Sequence, residues 1–225
     1  MSDTALGEMT GRASSLRFRL AGAATASRVA RLHADSWRRH YRGAYAGDAR
    51  ALPVEDRAAD AVLLLGPLYH LTDRPDRVRG WQEAARVTRD GGVVVAATIS
   101  RYASLFDGFA SGYMRDPRFR PMVEHALATG EHRNPHRAEG WFTTAYFHRP
   151  HEAAAEAEAA GLRVERVLPV ETPLWMAAGL DEMLADQALT DLLLAMLRWV
   201  EDEPGLLAAS SHLLTIARRE AVPGR

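Results

Sequence analysis

Two apolar runs in the middle of the chain, separated by a segment of helical period, set the expected architecture. Residues 60–66 (DAVLLLG) are apolar after the first position and stop at Gly66-Pro67, as a strand buried on both faces does. Residues 93–99 (VVVAATI) follow the Gly91-Gly92 break and are rich in β-branched side chains. The pattern therefore predicts two parallel strands joined by a crossover helix.

The segment between the two runs has the apolar stripe of a helix that packs on a sheet. The predicted inward-facing positions are Val78, Trp81, Ala85 and Val87. The predicted solvent-facing positions are Arg79, Glu83 and Arg86. In open α/β sheets, ligands bind beyond the carboxyl ends of the strands, so residues 66–70 and 100–102 are expected at the lip of a site.

Weaker patterns lie on either side of this unit. Residues 1–14 are small and polar and are expected to form a disordered leader. Residues 15–46 predict a separate strand–helix unit, in which residues 15–20 alternate as a strand does. Residues 47–225 are then expected to form the main domain.

Within that main domain, residues 101–147 are rich in Arg, His, Gly and aromatic residues and have no strong period. Such a segment is typical of an inserted lid, and only residues 121–129 look clearly helical. The rest of the domain predicts a helix over 150–160, a strand over 162–170, an amphipathic helix over 180–201 and a last strand over 211–217.

Charge and composition exclude several classes of function. The net charge is -1 and the calculated pI is about 6.8, which gives no electrostatic case for nucleic acid or for an anionic membrane. All 28 basic residues are Arg, so Schiff-base and P-loop chemistry are excluded, and the absence of Cys excludes thiolate chemistry. Without a signal peptide or an apolar stretch of about 18 residues, a cytoplasmic protein that does not bind membranes is expected.

Four quoted stretches together resemble one enzyme family. They are GDARALP, DAVLLLGPLYHLTD, RVTRDGGVVVAATISRYAS and SHLLTIARR, between residues 47 and 219. Their order is similar to that of class I (Rossmann-like) S-adenosylmethionine-dependent methyltransferases that act on small molecules. The resemblance implies a truncated Rossmann-like sheet of about five strands, helices on both faces, and a helical or loop lid.

The resemblance also implies roles for residues near the two strand ends. Asp48 and the Ala49 amide would meet the adenine of S-adenosylmethionine, and Leu65 and Gly66 would lie beside the sulfonium. Tyr69 and His70 would face the methyl group, with His70 a candidate general base. The alternatives are that Asp48 is a turn carboxylate, that His70 packs at a strand end, and that Tyr69 is only a wall of the site.

The family's glycine-rich cofactor loop and its ribose-binding acidic residue are not recognisable in this sequence. Two βα units of about 30 residues each should precede Gly47, and only 46 residues are present there. Residues 16–45 instead resemble the start of a GNAT-type acetyltransferase, through a short motif. The matching residues are His33, Ser36, Trp37, Tyr41 and Gly43. A natural fusion would explain both resemblances.

Side chains of the lid are candidates for substrate contacts. Tyr102 and Trp141 are expected to line an acceptor site, and Arg115, Arg118 and Arg120 are expected on a solvated face that could meet an anionic substrate. Histidines that recur near Pro135 and Pro150 are expected to be exposed loop residues, and no metal site is expected. These histidines are His132, His136, His148 and His151.

The expected function is methyl transfer from S-adenosylmethionine to a small-molecule acceptor, impaired or dependent on a partner. A sheet that lacks strands leaves unpaired backbone, so a homodimer or a second protein at the exposed sheet edge is expected. The alternative is a non-catalytic methyltransferase-like protein that binds a partner. An acyltransferase is a distant third, because its pyrophosphate loop is absent from the sequence.

Overall fold

The computed structural model describes residues 48–201 and 203–221. The predicted leader (1–14) and the predicted strand–helix unit (15–46) lie outside these residues, and so does the segment that resembles an acetyltransferase. The outcome of those predictions is therefore not decided by the structure.

The described residues form a mixed α/β fold, as predicted. The strands are β1 Ala59–Leu65, β2 Thr88–Ser100, β3 Glu131–His132, β4 Ala145–His148, β5 Arg163–Pro169 and β6 His212–Arg218. The helices are α1 Pro67–His70, α2 Arg74–Val87, α3 Ala103–Ala110, α4 Phe119–Thr129, α5 Pro150–Ala159, α6 Leu180–Ala185, α7 Gln187–Leu197 and α8 Pro204–Leu207. Two 3₁₀ turns are Tyr113–Arg115 and Pro173–Met176.

Strand β2 is the centre of the sheet. It pairs in parallel with β1, and its last two residues, Ile99 and Ser100, pair in parallel with Phe147 and His148 of β4. On its other edge it runs antiparallel to β6, which in turn pairs with β5. The path through the sheet is β3-β4-β2-β6-β5, with β1 beside β2. Parallel pairing of β1 and β2 across a helix confirms the predicted strand–helix–strand unit.

The Gly91-Gly92 break is a bulge within β2 and not a turn before it. Ala59 pairs with Thr88, but Ala61 already pairs with Val93, so β2 carries extra residues at this point. A Cβ at Gly92 would lie 2.8 Å from the carbonyl oxygen of Asp60. The bulge therefore requires glycine at position 92, because the backbone of β1 approaches too closely for a side chain.

Helices α2 and α5 pack on the same face of the sheet and form the main core. This cluster includes Leu64 of β1, Trp81 of α2, Val94 of β2 and Ala157 of α5. The opposite face of β1 carries Leu63 and Leu65, which are 60% and 46% exposed. The prediction that residues 60–66 are buried on both faces is therefore wrong, because the helices that bury Leu64 lie on one side.

Several predicted helical details change in the structure. Glu83, predicted to face water, is buried because its carboxylate accepts hydrogen bonds from Arg86 and from the Leu52 amide. The lid contains α3 as well as α4, since Gly108 lets the two helices approach closely. The single helix predicted over 180–201 is divided at Asp186, whose extended backbone and side chain cap α7.

Candidate active site

The carboxyl end of β1 turns directly into α1 through Gly66. This residue has φ 144° and ψ −45°, a conformation that only glycine adopts without strain. A Cβ at this position would lie 3.4 Å from the Tyr69 hydroxyl oxygen. Leu65, the last residue of β1, is about half exposed beside this turn. Gly66 itself is buried, with the Tyr69 hydroxyl over its Cβ position, so glycine is required here for the sharp turn from β1 into α1.

Tyr69 and His70 follow on α1. Tyr69 is buried and packs with Ile99, Ala145 and Phe147, so it forms a wall, as the alternative interpretation of this residue held. The His70 ring lies 4.7 Å from the Tyr69 ring, centroid to centroid, and 6.3 Å from the Phe142 ring.

The environment of His70 sets its protonation. Burial lowers the pKa of the imidazole, and a hydrogen bond with the Thr144 backbone opposes that shift only in part. The side chain is therefore neutral at physiological pH and has a ring nitrogen that can accept a proton.

Asp48 lies in a tight turn and is held by Arg50. Its Oδ1 accepts from the Arg50 amide at 2.9 Å, and its Oδ2 accepts from the Arg50 guanidinium at 2.7 Å. These hydrogen bonds lower the pKa of Asp48 to about 2. Arg50 also donates to Asp76 in the first turn of α2, at 2.6 Å. Asp48 is thus both a turn carboxylate and an exposed, permanently charged acceptor.

The segment of Asp48 and Ala49 meets α1 at Gly80 of α2. A Cβ at Gly80 would lie 3.4 Å from a methyl carbon of Leu68 and 3.9 Å from the Ala49 carbonyl oxygen. The structure therefore places the Ala49 backbone and Leu68 of α1 beside the middle of α2.

At the end of β2 the structure shows an arginine that the sequence patterns did not indicate. Arg101 is buried and donates to the Phe147 carbonyl at 2.7 Å, to the Tyr146 hydroxyl at 3.1 Å and to Glu152 at 2.9 Å. Tyr102, predicted to contact substrate, is half-buried and precedes α3. Only tertiary contacts identify Arg101, because its neighbours in sequence are ordinary strand residues.

A second group of buried polar residues also went unpredicted. Arg77 of α2 donates to Glu156 of α5 at 2.9 Å, and His148 Nε2 lies 3.4 Å from the same carboxylate. His132 Nδ1 lies 2.9 Å from the Ser104 hydroxyl. The prediction of exposed loop histidines is therefore wrong for His132 and His148, which are both buried.

The described residues contain a cleft in the lid, away from Gly66 and Asp48. It has a volume of about 760 Å³ and lies between the turn after α3 and the loop that precedes β4. Trp141 lines it, as does Arg115, while the adjacent residue Phe142 contacts His70. Trp141, predicted to contact substrate, lines this cleft, but the structure does not bring it together with Asp48 or Gly66.

Two further searches cover the described part of the chain. Within residues 48–201 and 203–221 no group of three or more His, Cys, Asp or Glu side chains could hold a metal ion. None of the helices in those residues has the length and apolar character needed to cross a bilayer.

Comparison with known proteins gives one family match. Residues 7–96 match the family described as "Methyltransferase domain". This range includes β1, α2 and most of β2, together with 41 residues before the described part.

Several solved structures that the chain matches at low identity are described as methyltransferases. An S-adenosylmethionine-dependent methyltransferase of Methanosarcina mazei is 14% identical and has a TM-score of 0.45, with 77% of this chain and 65% of that chain covered. An S-adenosylmethionine-dependent methyltransferase of Mesorhizobium loti is 14% identical and has a TM-score of 0.45, with 77% of this chain and 67% of that chain covered. The CcbJ methyltransferase of Streptomyces caelestis is 14% identical and has a TM-score of 0.42, with 78% of this chain and 62% of that chain covered.

The chain spans less than two thirds of the length of the Methanosarcina mazei protein. The family match over residues 7–96 contains the strand–helix–strand unit that the sequence and the structure share. The family match is therefore a similarity of residues 7–96, which are 90 of the 225 residues, to the methyltransferase-domain family.

Proposed function

We propose that the chain transfers a methyl group from S-adenosylmethionine to a small-molecule acceptor at the carboxyl edge of β1. The observation that carries the proposal is the turn at Gly66, whose glycine-only backbone ends β1 next to a neutral histidine within the residues that match the methyltransferase family. Ligands in open α/β sheets bind at such an edge.

The residues at this edge fit the cofactor. Gly66 has no side chain, and the Ala49 backbone lies beside Gly80 of α2, as does Leu68, two residues after Gly66. Asp48 would accept the adenine amine, since each carboxylate oxygen accepts more than one hydrogen bond and the side chain is about half exposed. Arg50 would share the carboxylate and hold it in place.

When bound, S-adenosylmethionine supplies an electrophilic methyl carbon on a sulfonium. Residues of this chain would orient the acceptor and exclude water. His70 would take the proton that a hydroxyl or amine acceptor loses, because burial keeps its imidazole neutral.

A partner is part of the proposal. Leu63 and Leu65 expose apolar surface on β1, and β1 pairs only with β2 among the described strands. Open strand edges and apolar faces favour association with another chain. A homodimer or a second protein at this edge would complete the site in the cytoplasm.

A second candidate is a non-catalytic relative that binds a partner protein. The Arg50 guanidinium on Asp48 favours it, because both carboxylate oxygens already accept hydrogen bonds. Substituting Arg50 distinguishes the two candidates. If Asp48 binds adenine, the Arg50→Gln variant should still bind the cofactor. If the Asp48–Arg50 pair is only structural, neither the unaltered chain nor the Arg50→Gln variant should bind it.

Calorimetric titration with S-adenosylhomocysteine tests the proposal. Binding tighter than about 100 μM is expected, and Asp48→Asn should weaken it at least about tenfold. The matched control is Asp116→Asn, because Asp116 holds Arg118 with the same backbone and side-chain hydrogen bonds. No heat at millimolar ligand would overturn the enzyme hypothesis and support the second candidate.

A further inference from the structure

The cleft in the lid has two walls that the fold holds apart. One wall is the 3₁₀ turn Tyr113–Arg115 and the residues that follow it. The other is the loop over residues 134–141, which contributes Glu139 and Trp141. The walls touch at one point, where a Cβ on Gly140 would lie 2.7 Å from the Tyr113 hydroxyl oxygen. The cleft has a volume of about 760 Å³ and is open to solvent over most of its extent.

The loop wall is rigidly built before any ligand arrives. The Asn134 side-chain amide donates to the carbonyls of Ala138 at 3.0 Å and of Trp141 at 2.8 Å. Its oxygen accepts from the Ala138 amide at 3.1 Å. The indole of Trp141 packs edge-on against Phe119 of α4, 5.1 Å between centroids. A preorganised wall of this kind reduces the entropy lost on binding.

Most charged side chains around the cleft are already paired. Arg118 is paired with Asp116 at 2.6 Å, and Arg120 with Glu124 at 2.7 Å. Across the described residues, Arg115 and Glu139 make no ion pair with each other or with any other side chain. One wall therefore presents an unpaired cation and the other an unpaired anion.

We propose that this cleft binds a small zwitterion, with the ligand carboxylate at Arg115 and the ligand ammonium at Glu139. Arginine forms bidentate hydrogen bonds with carboxylates, and a carboxylate is the ordinary partner of an ammonium group. The rings of Tyr113 and Trp141 form the apolar part of the lining, which suits a ligand with an aromatic or aliphatic side chain.

The inference adds a binding site beyond the proposed function, because the cleft lies away from Gly66 and Asp48. Trp141 lines the cleft and its neighbour Phe142 stacks near His70, so one short segment connects the cleft to the proposed edge. Binding of the zwitterion itself requires no cofactor. The two proposals can therefore fail separately.

The test measures binding of phenylalanine without cofactor, by titration calorimetry and by tryptophan fluorescence. Phenylalaninamide lacks the carboxylate and N-acetylphenylalanine lacks the ammonium, so each removes one proposed contact. The variants are Arg115→Gln and Glu139→Gln, which are exposed substitutions outside every packed cluster. Arg120→Gln is the control, because it removes a nearby arginine that Glu124 already pairs.

Saturable binding of phenylalanine is expected, at least about tenfold tighter than either analogue. In Arg115→Gln, phenylalanine should bind no more tightly than phenylalaninamide. In Glu139→Gln, phenylalanine should bind no more tightly than N-acetylphenylalanine. Trp141→Phe should remove the fluorescence change and keep the calorimetric signal.

The proposal is overturned if phenylalanine does not bind at millimolar concentration, or if both analogues bind as well as it does. Equal losses in Arg120→Gln and Arg115→Gln would also overturn it, since the effect would then be general electrostatics. Binding of phenylalanine together with no binding of S-adenosylhomocysteine would leave the cleft assigned and the methyltransferase proposal refuted.

Discussion

The guanidinium carbon of Arg77 lies 3.6 Å from the centroid of the Tyr146 ring, in a part of the protein that water does not reach. Arg77 also donates to the carbonyls of Leu71 and Thr72 and to Glu156. It therefore connects α2 with α5 and with β4 behind the candidate active site. The buried Arg77 cation is tolerated because Glu156 compensates its charge and the two carbonyls accept hydrogen bonds from its guanidinium.

Removing the partner of this cation should be costly. Glu156→Ala leaves the Arg77 charge buried and unpaired, and a loss of about 3–5 kcal/mol in the free energy of unfolding is expected. Glu158→Ala on the exposed side of the same helix should change it by less than about 0.5 kcal/mol. Urea denaturation followed by circular dichroism measures both, and equal midpoints for the two variants would contradict the assignment.

Stability should fall on acidification below about pH 6.5. Burial lowers the pKa values of His70, His132 and His148, and hydrogen bonds from His148 and Arg77 lower that of Glu156 despite burial. A group whose pKa is lowered in the native state binds more protons when the protein is unfolded. For His the unfolded-state pKa is about 6.5. The stabilising contribution of these histidines is therefore present above about pH 6.5 and is lost as the pH falls.

Urea midpoints measured from pH 8 to pH 5 provide this test. We expect a constant midpoint above pH 7 and a decline below pH 6.5. The variant His148→Gln removes one titrating group and should make the decline shallower. A midpoint that rises toward pH 5 would show that these histidines are not buried in neutral form.

Gly66→Ala should damage the candidate site more than it damages the fold. The φ of 144° forces a side chain into a strained conformation, at a cost of about 1–3 kcal/mol. Gly161→Ala is the control, because Gly161 has φ 82° and open space around its Cβ position. Both variants should lose stability, and only Gly66→Ala should also weaken binding of S-adenosylhomocysteine. Equal binding by the two variants would exclude the end of β1 from the site.

Glu83 should hold the segment that follows Asp48 against α2. Its carboxylate accepts from the Leu52 amide at 2.9 Å, and Arg86 links it to the Leu52 and Val54 carbonyls. In Glu83→Ala we expect amide hydrogen exchange to become at least tenfold faster at Leu52 and in neighbouring residues. Gln82→Ala, on the exposed side of the helix, should leave exchange there unchanged. If amide hydrogen exchange at Leu52 were unaltered in Glu83→Ala, contacts other than those of Glu83 would hold the segment that follows Asp48.

The local hydrophobic pattern predicted the positions of helices and strands well. It predicted much less well which polar side chains are buried. The strands β1, β5 and β6 and the helix α5 begin and end within one residue of the predicted bounds, whereas β2 begins at Thr88, five residues before the predicted start. Glu83 and Arg77 show the limit of the method, since a charged residue on a helix predicts exposure unless a distant partner is known. Asp186 shows a second limit, because a cap within an apolar helical pattern is visible only when the backbone turns there.

The sequence by itself determined the α/β class and the crossover unit, because apolar periodicity and turn glycines act over a few neighbouring residues. Tertiary structure alone decided which face of β1 is buried, which histidines lie in the core, and that Arg115 and Glu139 line one cleft without partners. These outcomes depend on contacts between residues far apart in the chain, and a charge becomes available for a ligand only when folding has given its neighbours other partners.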